Sequence, residues 1–150
     1  MNRGYTLIGL SNPKTPANVG SVMRACGVYG SSGAVYTGKR YQRSQKFVTD
    51  PQKNHRHIPL THVDDLKDAI PFDCVPIAVD LIDGATPLTE YKHPERAFYI
   101  FGPEDGTLGR PVTDWCRDVV YVPGEMCMNL AATVNVVLYD RMCKAARSAV

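Results

Sequence analysis

Three separated segments of this chain set asparagine, arginine and glutamate side chains among glycines and prolines. Residues 12–24 read NPKTPANVGSVMR and carry Asn18 and Arg24; residues 101–109 read FGPEDGTLG and carry Glu104; residues 122–130 read VPGEMCMNL and carry Asn129. In the second segment Gly102, Gly106 and Gly109 let the backbone turn sharply and approach a flat ligand closely. That segment lacks the Gly-Lys-Ser/Thr of a phosphate-binding loop, and its glycine spacing is wrong for a dinucleotide fingerprint. Glu104 would repel a phosphate, so a cationic or neutral ligand suits it better. An ordinary turn carrying acids is the competing reading, and a phosphate-liganded nucleotide-binding protein is a third.

S-Adenosylmethionine (AdoMet) meets the chemistry of the first reading. Its sulfonium is a cation, and its adenine and ribose suit backbone groups and small-residue loops. Methyl transfer to an oxygen discharges the sulfonium, so a dry pocket favours the transition state over the ground state. In the third segment Val122 and Pro123 give an extended exit, Gly124 permits a turn, and Met128 and Leu130 offer apolar faces for the adenine. Asn129 can cap the helix that follows. Asn18 and Arg24 are six residues apart and do not share one helix face closely. Asn18 reads as a cap or a site residue, and Arg24 as a surface arginine or a bidentate clamp on an RNA phosphate.

Regular elements must hold these segments. Short apolar runs predict strands at 5–10, 34–36, 75–82, 97–101 and 119–122, with a brief extended piece at 57–60. Apolar recurrence predicts a helix over 17–29 stopped by Gly30, short helices over 63–70 and 111–116, and a long amphipathic helix over 129–146. Strands alternating with helices over short connections argue an α/β fold, its sheet mostly parallel with helices on both faces. Ligands of such sheets bind at the carboxyl ends of strands, and the second and third segments lie just past two of them.

The 150 residues, 44% apolar and without linker, repeat or low-complexity tract, are expected to form one domain spanning 1–150. No signal-peptide h-region or bilayer-length apolar run is present, which predicts a soluble, intracellular protein. Five cysteines without a C-x-x-C pair read as reduced, mostly buried thiols, and His57 and His62 read as a loop or strand pair rather than zinc ligands. The net charge is only +2, but residues 39–56 concentrate Lys39, Arg40, Arg43, Lys46, Lys53 and Arg56 against the single acid Asp50. That stretch is either a solvated basic loop or one that contacts phosphates.

Taken in order, the three segments resemble the motifs of the SpoU-type (TrmH/TrmL-like) RNA ribose 2′-O-methyltransferases of the SPOUT superfamily, from Tyr5 to about Met142. Asn18, Gly20 and Arg24 match the first motif. Phe101, Gly102, Glu104 and Gly106 match the second, with Leu108 one place out of step with Gly106. Cys127-Met128-Asn129-Leu130-Ala131, followed later by Leu138-Tyr139-Asp140, matches the third. The resemblance implies a C-terminal trefoil knot, an obligate homodimer, AdoMet as donor with S-adenosylhomocysteine as product, and no metal. The minimal single-domain branch implies structured RNA as substrate in the cytoplasm, tRNA ahead of rRNA, with the anticodon wobble position as one target. Residue by residue it implies Arg24, Asn18, Glu104 and Asn129 as catalytic groups. It implies cofactor contacts from Val79, Leu81, Phe101, Gly102, Glu104, Gly106, Val122, Pro123, Met128 and Leu130, and RNA contacts from Arg24, Lys39, Arg40, Arg43, Lys46, Tyr139 and Arg141. Cys127 and Ala131 stand where many relatives carry serines, which motivates a non-catalytic RNA-binding dimer as one alternative; an rRNA 2′-O-methyltransferase is another.

Overall fold

The computed structural model describes residues 4–45 and 57–148. Among them seven strands form one parallel sheet: β1 (Tyr5–Leu10), β2 (Ala34–Tyr36), β3 (Leu60–His62), β4 (Val75–Val79), β5 (Thr86–Pro87), β6 (Arg96–Phe101) and β7 (Asp118–Tyr121). Their spatial order is β3-β2-β1-β6-β4-β7-β5. The α-helices are α1 (Pro16–Tyr29), α2 (Arg40–Gln45), α3 (Arg110–Thr113) and α4 (Leu130–Ser148).

Continuous apolar runs make the central strands, as expected for parallel strands covered on both faces. From Ala97 to Phe101 every side chain of β6 is buried. Alternate residues feed two cores. Ile8, Leu10, Tyr99, Phe101 and Val120 meet α1 and α4, while Val35, Ala78, Phe98 and Ile100 meet Leu108, Val112 and Trp115 on the other face. Helix α1 begins with Pro16 in its first turn, turns Val19, Val22, Met23 and Cys26 inward, and closes on Gly30 in the left-handed conformation. Helix α4 buries Leu130, Val134, Val137 and Leu138, each such side chain contributing roughly 1.5–3 kcal/mol. No helix among the described residues is long and apolar enough to cross a membrane.

Several predicted elements shift. The strand expected over 75–82 stops at Val79, because residues 80–84 leave the sheet toward a turn. The extended piece forms at Leu60–His62 rather than 57–60. The helix over 63–70 is a 3-10 turn at Leu66–Ala69 capped by Asp65, and the one over 111–116 is the short α3. Two elements lacked a sequence signal. Helix α2 buries only Tyr41, against Tyr36, so it has no apolar periodicity, and β5 is two residues long and contains a proline. The thiols are less buried than expected. Burial holds for Cys26, whose pKa is pushed up to about 11 by desolvation, whereas Cys127 is exposed. His62 has a local role, its Nε2 lying 3.1 Å from the Gly38 carbonyl oxygen.

Candidate functional site

Strand register brings the three motif segments to one edge. Phe101 pairs with Leu10 on one side and with Val79 on the other, and Val79 pairs with Val120. The loops leaving β1, β6, β4 and β7 therefore depart side by side at the carboxyl end of the sheet. The Ser11 amide donates to the Phe101 carbonyl at 3.0 Å, tying the first loop to the second. At Gly102 the close approach is literal: an added Cβ would sit 3.1 Å from the Leu108 nitrogen, so the loop doubles back over this position.

Three side-chain fastenings hold the loops. Glu104 accepts from the amides of Lys14 (3.1 Å) and Thr15 (3.2 Å) and from the Thr15 hydroxyl (3.3 Å). Thr15 makes no side-chain cap of its own, so Glu104 supplies the negative charge at the start of α1 across a separation of 89 residues. Asn129 caps α4, its Oδ1 accepting from the amides of Ala131 (2.9 Å) and Ala132 (3.2 Å). Its Nδ2 donates to Asn18 Oδ1 at 3.1 Å, joining the first motif to the third. Arg40 donates to both Asp105 oxygens (2.7 and 3.0 Å) and to the Asn12 carbonyl (2.7 Å). This clasp lowers the Asp105 pKa below the ordinary carboxylate value, chiefly through the hydrogen bond.

The predicted cofactor contacts divide by where their side chains point. Those of Val79, Phe101 and Leu130 belong to the core, and Val122 packs against it. For these four only the backbone stands at the edge, which corrects the expectation that Leu130 presents an apolar face to adenine. Leu81, Gly106, Pro123 and Met128 are exposed, and Gly102 is half-buried. Ile82 and Met126, unflagged by the sequence, are exposed beside them.

The predicted RNA contacts divide in the same way. Arg24, Lys39 and Arg43 are exposed. Arg40 is held in its clasp, and Lys46 lies outside the described residues. Tyr139 is half-exposed and meets Tyr29 edge-on at 6.4 Å. Arg141 turns inward, donating to the carbonyls of Pro94 and Glu95 (both 2.6 Å) and to the Tyr99 hydroxyl (3.2 Å). It lies at the amino end of β6, so the fold, not RNA, occupies its guanidinium.

Sequence reasoning missed Asp80, Asp105 and Asn12. Asp80 follows directly on β4, and an acid one residue past a buried strand at a carboxyl edge was a readable signal. The Arg40–Asp105 pair spans 65 residues and had none.

The arrangement is a cluster of loops with exposed apolar side chains and two joined asparagines, at the carboxyl ends of parallel strands. The model of the SpoU rRNA Methylase family matches residues 5–139, and the chain belongs to that family. No curated protein sequence matches the chain. Among solved structures, an AdoMet-bound rRNA methyltransferase from Sinorhizobium meliloti superposes with a TM-score of 0.77 at 15% identity, over 94% of this chain and 57% of that one. The SpoU methyltransferase AviRb from Streptomyces viridochromogenes, in complex with the cofactor AdoMet, gives 0.79 at 17% identity, over 95% and 58%. A structure reported for the 2-OH methylation of C/U34 on tRNA gives 0.75 at 20% identity, over 96% and 98%. The chain thus spans less than two thirds of the first two relatives but nearly all of the third.

Proposed function

We propose that this protein is an AdoMet-dependent methyltransferase acting on a ribose 2′-hydroxyl of structured RNA, tRNA first, with the anticodon wobble position as the leading target. The observation that carries the reading is the Asn18–Asn129 bond, which ties the first motif to the third. The end-to-end match to the structure reported for C/U34 methylation supports tRNA over rRNA.

The residues at the carboxyl edge fit the donor. Leu81, Ile82, Met126 and Met128 are bare apolar side chains for a flat base, and an acceptor atom of Asp80 is buried without a donor. When bound, the donor would supply a sulfonium-activated methyl group, the C–S electron pair returning to sulfur while the ribose oxygen takes the methyl and its proton passes to solvent water. Arg24 remains charged, since a guanidinium does not deprotonate in proteins. It holds the phosphate beside the target sugar and lowers the cost of the forming alkoxide. Asn18 and Asn129 orient the sugar from the helix starts, and Glu104 keeps α1 and the second loop in register rather than touching the reacting atoms.

The family's trefoil knot and homodimer belong to the same proposal. A second copy covers the outer face of α1 and α4, where Val28 (68%), Tyr139 (54%) and Met142 (48%) are exposed. Light scattering on the purified protein is expected to give twice the monomer mass.

The deciding experiment incubates the protein with methyl-labelled AdoMet and tRNA that lacks ribose methylation, then maps the label by nuclease digestion. Label in a 2′-O-methylnucleoside is expected. RNA binding without incorporation would instead establish the non-catalytic dimer.

A further inference from the structure

Among the described residues two buried side-chain polar atoms lack a hydrogen-bond partner, Arg40 Nε and Asp80 Oδ2. The first belongs to a guanidinium whose other nitrogens already serve Asp105 and Asn12. Asp80 differs: Oδ1 accepts from the Leu81 amide at 2.9 Å, and Oδ2 has nothing. A buried carboxylate oxygen without a donor is expensive, and folded proteins keep such atoms where something else answers them.

The position says what that is. Asp80 follows Val79, which pairs with Phe101 and Val120, and the Asp80 amide still donates to the Val120 carbonyl at 2.9 Å. It therefore stands on the middle one of three strand ends, between Gly102 and Tyr121. Ala78, two residues earlier, belongs to the core facing Leu108, so strand alternation sets Asp80 on the face opposite α1 and α4. Asn18, Asn129 and Arg24 lie on the α1–α4 side, where the methyl group must leave. The acceptor thus reaches the part of the ligand that does not react.

Resting on the AdoMet reading above, we infer that Asp80 is a binding residue for the nucleoside half of the donor, its Oδ2 accepting from a ribose hydroxyl. A base offers mostly a flat apolar face, which Leu81, Ile82, Met126 and Met128 serve. Hydroxyls are the donors a lone carboxylate oxygen answers. The unliganded protein carries the unanswered oxygen and the ligand relieves it, so Asp80 contributes to binding and not to folding.

Isothermal calorimetry tests this on wild type and Asp80→Asn with three probes: S-adenosylhomocysteine, 5′-methylthioadenosine, which lacks the amino-acid half, and 2′,3′-dideoxy-5′-methylthioadenosine. With Oδ1 retained for the Leu81 amide, the asparagine turns a donor where an acceptor is needed. The substitution is expected to weaken the first two probes by roughly 10-fold each and to leave the dideoxy probe unchanged, as a double-mutant cycle requires. The unliganded variant should melt at the wild-type temperature or above it. Equal binding of S-adenosylhomocysteine by both proteins, a loss confined to that probe, or an equal loss on the dideoxy probe would each overturn the assignment. So would a lower melting temperature of the unliganded variant, which would make Asp80 a folding residue. Wild type failing to bind S-adenosylhomocysteine at all would remove the AdoMet reading itself, a result distinct from the others.

Discussion

The two ends of this one sheet treat polar groups in opposite ways. At the amino end a chain of donors runs inward: Arg141 to the Tyr99 hydroxyl, and Tyr99 to His93 Nδ1 at 2.6 Å. His93 Nε2 then donates to Asp140 at 2.7 Å, and Lys144 donates to the same carboxylate and to the carbonyls of Leu88 and Tyr91. At the carboxyl end Asp80 Oδ2 has no donor and four large apolar side chains are bare, and on the outer side of α1 Arg24 stands in solvent. A satisfied network stabilises; an unsatisfied buried atom calls for an explanation, and at Asp80 the one proposed is a ligand. The resemblance made RNA contacts of both Arg24 and Arg141. Hydrogen-bond partners separate them.

The sharpest way to break that contrast is Arg24→Ala. If exposed Arg24 serves chemistry rather than the fold, methyl transfer to tRNA should fall by roughly 100-fold or more while the melting temperature stays within about a degree. Arg24→Lys should keep substantial turnover, because the charge is retained. Wild-type activity in the alanine variant, measured by label incorporation, would remove Arg24 from the site.

The amino end predicts the reverse. Asp140→Ala leaves His93 Nε2 buried without an acceptor and Lys144 without its ion pair. With the Asp140 side chain 23% exposed, water replaces part of what is lost, and the cost should be about 1–3 kcal/mol. Denaturant titration reads it directly. The protein that remains folded should bind S-adenosylhomocysteine as tightly as wild type, and a selective loss of that binding would join the two ends functionally.

Legibility in the sequence follows the same division. Strands β1 and β6 and helices α1 and α4 were readable because long apolar runs and periodic stripes report burial directly. The loop cluster was readable only as three motifs, since the contacts that assemble it join residues 28 to 111 positions apart. Glu104 shows the difference in kind: the sequence marks an acid in a glycine loop, but not that its partners are the amides before α1. Arg141 could not be told from a surface arginine, because the carbonyls it serves belong to an irregular stretch near residues 94–95.

RNA affinity gives a smaller test. Lys39 and Arg43 are exposed on either side of the clasped Arg40, whereas Arg141 is spent within the fold. Replacing Lys39 and Arg43 with alanine should reduce the slope of log K against log salt by about 1.5, at roughly 0.7–0.9 per phosphate contact. Arg141→Ala should leave the slope unchanged while lowering stability. A slope that responds to Arg141 would reassign the amino end as an RNA surface.

The smallest expected effect is the pH dependence of the amino-end network, and its sign is fixed by His93. Burial, the leading cause, lowers the His93 pKa from 6.5, against the opposing hydrogen bond to Asp140. A neutral imidazole fits both short contacts, accepting from the Tyr99 hydroxyl at Nδ1 and donating to Asp140 from Nε2. Below pH 6.5 the unfolded chain protonates this histidine before the native protein does. Its contribution is therefore whole above pH 6.5 and is lost as pH falls toward the lowered native value. One proton limits the slope to about 1.4 kcal/mol per pH unit. His93→Gln, which keeps a polar group at the position, should flatten stability below pH 6.5 relative to wild type. If wild-type stability instead rose on acidification through that window, His93 would be charged in the native protein, and the amino end would hold an ion pair rather than a neutral relay.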